Sequence, residues 1–266
     1  MPAALLLLAG LLFGFAARAD NPPPSESPSY SGTSIVNAAD NQPGWLAPNT
    51  IATLYGSELA YTTRAMTSDD IHGGVLPTVL PGTGVRVIVG GILAVIYFVS
   101  PGQVNFLVPS LLLPGSSHVQ LVIDGKAGPE IQVQLLPAAP AFFQLDPQTV
   151  VATHADGSVI TADAPARPGE YVVLYATGLG ETVPPLIYGQ VPVGAATLKQ
   201  IRDLKLMLDG VAMDASRIAY AGIAPGFAGL YQINLKLPDS IGANPEIRVG
   251  LGAQVSRSGL KLPVRP

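Results

Sequence analysis

No cysteine occurs in the 266 residues. That excludes disulfides, thiolate metal sites and cysteine nucleophiles, and also a lipid anchor attached through a cysteine. Charge is scarce as well. Asp, Glu, Lys and Arg make up 12% of the chain, against roughly 25% in an average globular protein. The net charge is -4, with no basic block. A nucleic-acid partner is not expected, because such binding needs clustered Lys and Arg to displace counterions. There is one tryptophan and there are three histidines. His72, His118 and His154 lie far apart in sequence, with no carboxylates at metal-ligand spacing. They read as loop or strand-edge residues, and neither a metal nor a cofactor is expected.

What the chain does have is apolar side chains, 48% of residues, together with 29 Gly and 26 Pro. Such a chain buries a large core and turns often, which fits short strands better than long helices. Ala3 to Ala17 is nearly unbroken apolar sequence. It ends in Ala17-Arg18-Ala19, a small-x-small pattern that predicts a signal peptide over 1–19 cut after Ala19. No Lys or Arg precedes the run. The run is too short for the ~20 residues of a membrane-spanning helix. No span is expected after cleavage, and the mature chain is expected to be secreted or at the cell surface, with the periplasm also open. Residues 20–33 are rich in Pro and Ser and read as a linker.

From Ser34 onward the chain repeats itself. Pro48 to Tyr55 corresponds to Pro168 to Tyr175, Val85 to Gly91 to Leu204 to Gly210, and Gln103 to Pro109 to Gln232 to Pro238. Val119 to Ile123 corresponds to Ile247 to Leu251. The offset grows from 119 to 129, so the copies differ by loop insertions. Inside each copy, alternating residues such as Val85, Val87 and Val89 predict strands with one buried face. Gly90-Gly91, Asp209-Gly210, Asp124-Gly125 and Asp156-Gly157 predict hairpin turns. Ile131, Val133 and Leu135 alternate with Gln132 and Gln134, a strand with one wet face. The expected architecture is all-β: two tandem immunoglobulin-like sandwiches, repeat 1 over 34–143 and repeat 2 over 144–266.

The motifs Pro168 to Leu179, Gly90-Gly91, Pro101 to Pro109 and Pro225 to Asn234 together resemble an uncharacterised domain family found at the C-termini of exported acidobacterial proteins. The resemblance spans about Ser34 to Pro266. It implies paired sandwiches of the IPT/TIG type and implies no activity.

Candidate site residues are few. Gln103 with Asn105, and Gln232 with Asn234, sit at i, i+2 on one face of an apolar strand. They could hydrogen-bond a sugar or protein ligand, or satisfy backbone groups of the neighbouring Pro-Gly loop. Trp45, Tyr55, Tyr175, Tyr220, Phe227 and Tyr231 could form a binding strip or pack a core and a junction. Asp69-Asp70 and Asp156-Gly157 lack the spacing of a calcium loop. Ser258 to Lys261 matches Ser-x-x-Lys without its companion motifs. The expected function is an exported or cell-surface non-catalytic module, binding or structural, with a protein or glycan of the envelope or extracellular space as its partner. A carbohydrate-binding module and a hydrolase with an unrecognised site stand as alternatives.

Overall fold

The computed structural model describes residues 27–266. The expected signal peptide, its cleavage point at Ala19 and the first part of the linker lie outside these residues. The described chain is all-β, and its helical segments are short 3-10 turns such as Ser68–Asp70. No helix among the described residues is long and apolar enough to cross a membrane.

The strands form two pairs of antiparallel sheets and a small two-stranded sheet of Gln144–Asp146 with Thr149–Val150. In the first pair, Ile35–Asn37, Ile51–Tyr55, Gln103–Leu107, Val95–Ser100 and Arg64–Ala65 lie side by side in that order. The facing sheet runs Ile131–Leu135, Gly115–Ile123, Val85–Val89, Ile92–Leu93. Val85, Val87 and Val89 are fully buried, while Arg86 between them is exposed. They meet Ala52, Leu54, Val104 and Phe106 from the opposite sheet in one core. This is the immunoglobulin-like sandwich that the alternation predicts.

The second pair repeats the scheme. Tyr171–Thr177, Tyr231–Lys236 and Ile218–Ile223 take the places of 51–55, 103–107 and 95–100. Leu204–Leu208 and Ile247–Leu251 face them across a second core. Even an isolated contact recurs: Leu46 pairs in parallel with Leu135, and Ala166 with Val264. The strand Ala141–Phe142 pairs with Thr177 and Ala176, so it belongs to the second sheet set although it precedes residue 144.

The turns obey their residues. Gly90-Gly91 has φ of 55 and 80°, and Asp209-Gly210 has 48 and 78°, the two positive angles of a type I′ hairpin. Asp124-Gly125 does the same. Asp156-Gly157 differs: only Gly157 has positive φ, and the Gly157 amide donates to the His154 carbonyl, giving a three-residue hairpin. The return strand after Gly91 also differs from a simple hairpin. Ile92–Leu93 pairs with Val85–Val89, and beyond Ala94 the chain crosses to the other sheet as Val95–Ser100. A bulge follows at Tyr97, and its counterpart stands at Ala219.

The two sandwiches are docked through a third apolar cluster that includes Ile51, Val95, Tyr97, Leu107, Phe143, Tyr175 and Leu230. Hydrogen bonds cross the seam. The Tyr97 hydroxyl donates to the Ala228 carbonyl at 2.8 Å. The Ile51 amide donates to Thr177 Oγ1 at 3.0 Å, and that hydroxyl donates on to the Gly229 carbonyl at 2.7 Å. The Leu76 amide donates to the Gly189 carbonyl and the Val191 amide to the Gly74 carbonyl, each at 2.8 Å, so a short two-stranded ladder also spans the seam.

Candidate functional site

Gln103 and Gln232 occupy equivalent lattice positions, opposite Tyr55 and Tyr175. Asn105 and Asn234 stand two residues on, opposite Thr53 and Val173. Within each pair the amides turn to each other. Gln103 Nε2 donates to Asn105 Oδ1 at 2.9 Å, and Gln232 Nε2 to Asn234 Oδ1 at 3.5 Å. Thr53 Oγ1 adds a second donor to Asn105 Oδ1 at 3.1 Å. The sequence left two partners open, a ligand or the backbone of the Pro-Gly loop. The pleat brings i and i+2 side chains together on the same face. Asn105 is buried, while Gln103, Gln232 and Asn234 are half-buried.

The aromatic residues divide unevenly. Tyr175, Trp45 and Phe227 pack in the seam cluster, and Trp45 Nε1 donates to the Pro140 carbonyl. Tyr231 is completely buried. Tyr220 is tied to the carbonyls of Ala196 and Ile223. Tyr55 is the exposed one of the six, at 38%. Tyr171, also exposed, carries the Lys236 ammonium over its ring at 5.8 Å.

Two of the acidic residues weighed for calcium, Asp70 and Asp156, are occupied. Asp70 pairs with Arg64 at 2.5 Å and accepts from the Thr67 amide at 2.8 Å. Asp156 Oδ1 accepts from the amide and hydroxyl of Ser158.

His154 has a partner that sequence spacing did not show. It pairs across the sheet with Val172, and Glu170, two residues before Val172, reaches it diagonally. His154 Nδ1 meets Glu170 Oε1 at 2.5 Å, and Nε2 meets the Ala164 carbonyl at 3.2 Å. Both neighbours are acceptors, so the ring satisfies both only as the imidazolium. Burial opposes that charge, but the Glu170 and Ala164 hydrogen bonds and the charges of Glu170 and Asp156 outweigh it and raise the pKa above the ordinary value. The hollow beside it, about 720 Å³, is lined by His154, Asp163, Arg167, Glu170 and Arg265. With both nitrogens committed, His154 has no free lone pair to serve as a general base.

A second cleft, about 430 Å³, opens where the two sandwiches meet. One lip is the loop Ser110 to Pro114 of the first repeat, and the other is Gly180 to Leu186 of the second. At its floor lies a relay: Asn49 Nδ2 donates to the Tyr231 hydroxyl at 2.8 Å, and that hydroxyl donates to the Gly180 carbonyl. The lips are aliphatic and wet. Leu111 is 65% exposed and Leu113 82%, facing Val183 at 54%. The second lip continues into a smaller groove through Ile187 and Val193, which are 67% and 96% exposed. No Asp, Glu, Lys or Arg occurs over 103–117 or over 182–198. The charges at the rim, Glu181 and Lys199, neutralise each other at 2.5 Å. The sequence signal for this cleft was two charge-free loops longer than a hairpin requires. Their meeting depends on how the repeats dock.

No protein-family model matches this sequence, and no curated protein is similar to it. Solved structures that align with it include the surface glycan-binding protein PbSGBP-B from Prevotella bryantii, 11% identical, TM-score 0.28, over 90% of this chain and 42% of that one. A mixed-linkage glucan utilization locus SGBP-B from Bacteroides ovatus, in complex with a mixed-linkage heptasaccharide, is 13% identical, TM-score 0.31, over 92% and 46%. The tandem Ig repeats of Dlar are 10% identical, TM-score 0.23, over 93% and 99%. The chain thus spans less than half the length of the two glycan-binding proteins. Values this low decide nothing about the ligand, and the fold stands on the strand pairing above.

Proposed function

We propose that this chain is a non-catalytic module of the cell surface or extracellular space, belonging with the exported acidobacterial family its motifs resemble. In this reading it binds a partner protein by seating an uncharged, aliphatic, extended segment in the cleft between its two sandwiches. The observation that carries this is the charge-free pair of lips with Leu111, Leu113, Val183, Ile187 and Val193 standing in water. Covering an aliphatic side chain of this size is worth about 1.5–3 kcal/mol when complete. Clustered apolar exposure of this kind marks an interaction surface. A charged segment would lose its hydration there with nothing to pair to, a far larger cost than an uncharged segment meets in burying its backbone amides.

The rival reading, a glycan ligand, calls for an exposed aromatic platform. The tryptophan, Tyr175 and Tyr231 lie instead in the seam or the second core. Calorimetric titration of the chain with synthetic Leu/Val/Pro peptides and with glucan oligosaccharides separates the two. The expected result is peptide binding that Leu113→Asp and Val183→Asp each weaken by at least ~10-fold, equivalent to ~1.4 kcal/mol. Oligosaccharide binding indifferent to both substitutions, or no peptide binding at all, overturns the proposal.

A further inference from the structure

A separate polar cluster lies in the seam, away from the cleft lips. Asp40 stands in the tight hairpin Asn37 to Gln42 of the first repeat and is only 3% exposed. Its Oδ1 accepts from the Gln42 amide at 3.1 Å, and its Oδ2 is buried without a hydrogen-bond partner. From the second repeat come Gln144 and Arg257. Arg257 Nη2 donates to Gln144 Oε1 at 2.7 Å and to the Pro147 carbonyl at 3.3 Å. Arg257 Nε and Gln144 Nε2 are buried donors without partners. One sandwich thus carries an unpaired acceptor and the other two unpaired donors. The charged group that bears on Asp40 is Arg257, within electrostatic reach but outside ion-pair distance.

We propose that Asp40, Gln144 and Arg257 form a proton-operated joint: neutral Asp40 keeps the two sandwiches tightly docked, and ionised Asp40 loosens the seam. A buried carboxylate with one bare oxygen costs free energy unless a cation or donors reach it. The docked geometry commits Arg257 to Gln144 and Pro147, so the charge can be satisfied only if the seam gives. Protonation removes the need.

The electrostatics agree in sign. Burial raises the pKa of Asp40 to about 6, against the opposing pull of the Gln42 amide, the Arg257 charge and its own backbone. A carboxyl that holds its proton more tightly in the docked state favours that state below its unfolded pKa and loses the advantage as pH rises through the docked value. The working window therefore runs from about pH 4 to pH 6.

Trp45, the single tryptophan, is half-buried in the same seam just after this hairpin and reports on it directly. The experiment is a fluorescence titration of the described chain from about pH 4 to 8. The wild type is expected to show one Trp45 transition between about pH 4 and pH 6, its emission moving to the red as pH rises. Asp40→Asn is expected to hold the acid-side spectrum throughout. Arg257→Gln is expected to move the midpoint upward, since it removes the charge that opposes protonation. His72→Gln, His118→Gln and His154→Gln remove the three histidines one at a time and are each expected to leave the transition in place. A wild-type spectrum that does not change, or a transition that survives in Asp40→Asn, overturns the proposal.

Discussion

Tyr231 shows how one residue can close the seam and remain buried. Its ring is wholly enclosed in the second core, yet its hydroxyl accepts from Asn49 of the first repeat and donates to Gly180. Burial pushes its pKa up, so the hydroxyl stays protonated and available as a donor. Tyr231→Phe keeps the packing and strips two polar groups of their partner. Leaving buried donors and acceptors unpaired costs about 1–3 kcal/mol, and urea unfolding is expected to show a loss of that size with an unchanged slope. A loss below ~0.5 kcal/mol would mean that Asn49 and Gly180 find other partners. The role of this tyrosine was only half legible in the sequence. A tyrosine heading the strand Tyr231–Lys236 suggests packing, but its bond to Asn49 spans 182 residues and leaves no local trace.

At the scale of elements, the turns and the strands were the most legible features. Gly90-Gly91 and Asp209-Gly210 turn where their residues require, because the two positive φ angles of the turn are set locally. The sheet crossing at Ala94 was not legible. Ile92 to Val99 is one apolar run, and only the competition between two sheets for its backbone divides it. The loop 226–229 offers a direct test of what the seam adds. Gly226 and Gly229 both have positive φ, 89 and 76°. A Cβ at Gly226 meets nothing within 4 Å, while one at Gly229 lies 2.5 Å from Leu107 Cδ1 and 2.8 Å from Ile51 Cγ1. Gly226→Ala is expected to cost only the backbone term, about 1–2 kcal/mol. Gly229→Ala is expected to cost a further ~1–3 kcal/mol from overpacking. Equal losses in thermal or denaturant unfolding would mean that the seam yields at Leu107 and Ile51.

For the whole molecule, the seam joins the two sandwiches into one mechanical unit. Its apolar cluster draws on both repeats, and its hydrogen bonds include the ladder between Gly74 to Leu76 and Gly189 to Val191. At about pH 4, where Asp40 holds its proton and the seam is docked, calorimetry is expected to give a single unfolding transition with matching calorimetric and van't Hoff enthalpies, the signature of one cooperative unit. Two resolved transitions would show that the repeats unfold independently and that the seam is weak. The proposed cleft depends on the same docking, since its lips belong to different repeats.

By itself the sequence determined what is local or periodic: the β class, the internal repeat, the alternation that buries Val85, Val87 and Val89, the type I′ turns, and the positions of the Gln/Asn pairs. Each follows from backbone sterics or from a period of two, which act over a few residues. The tertiary structure decided which surfaces of the two copies meet. It paired His154 with Glu170, enclosed Asp40 opposite Arg257, and brought two charge-free loops together as one cleft. These outcomes depend on shape complementarity between segments far apart in the chain. Such contacts carry no sequence period, so they become visible only once the chain has folded.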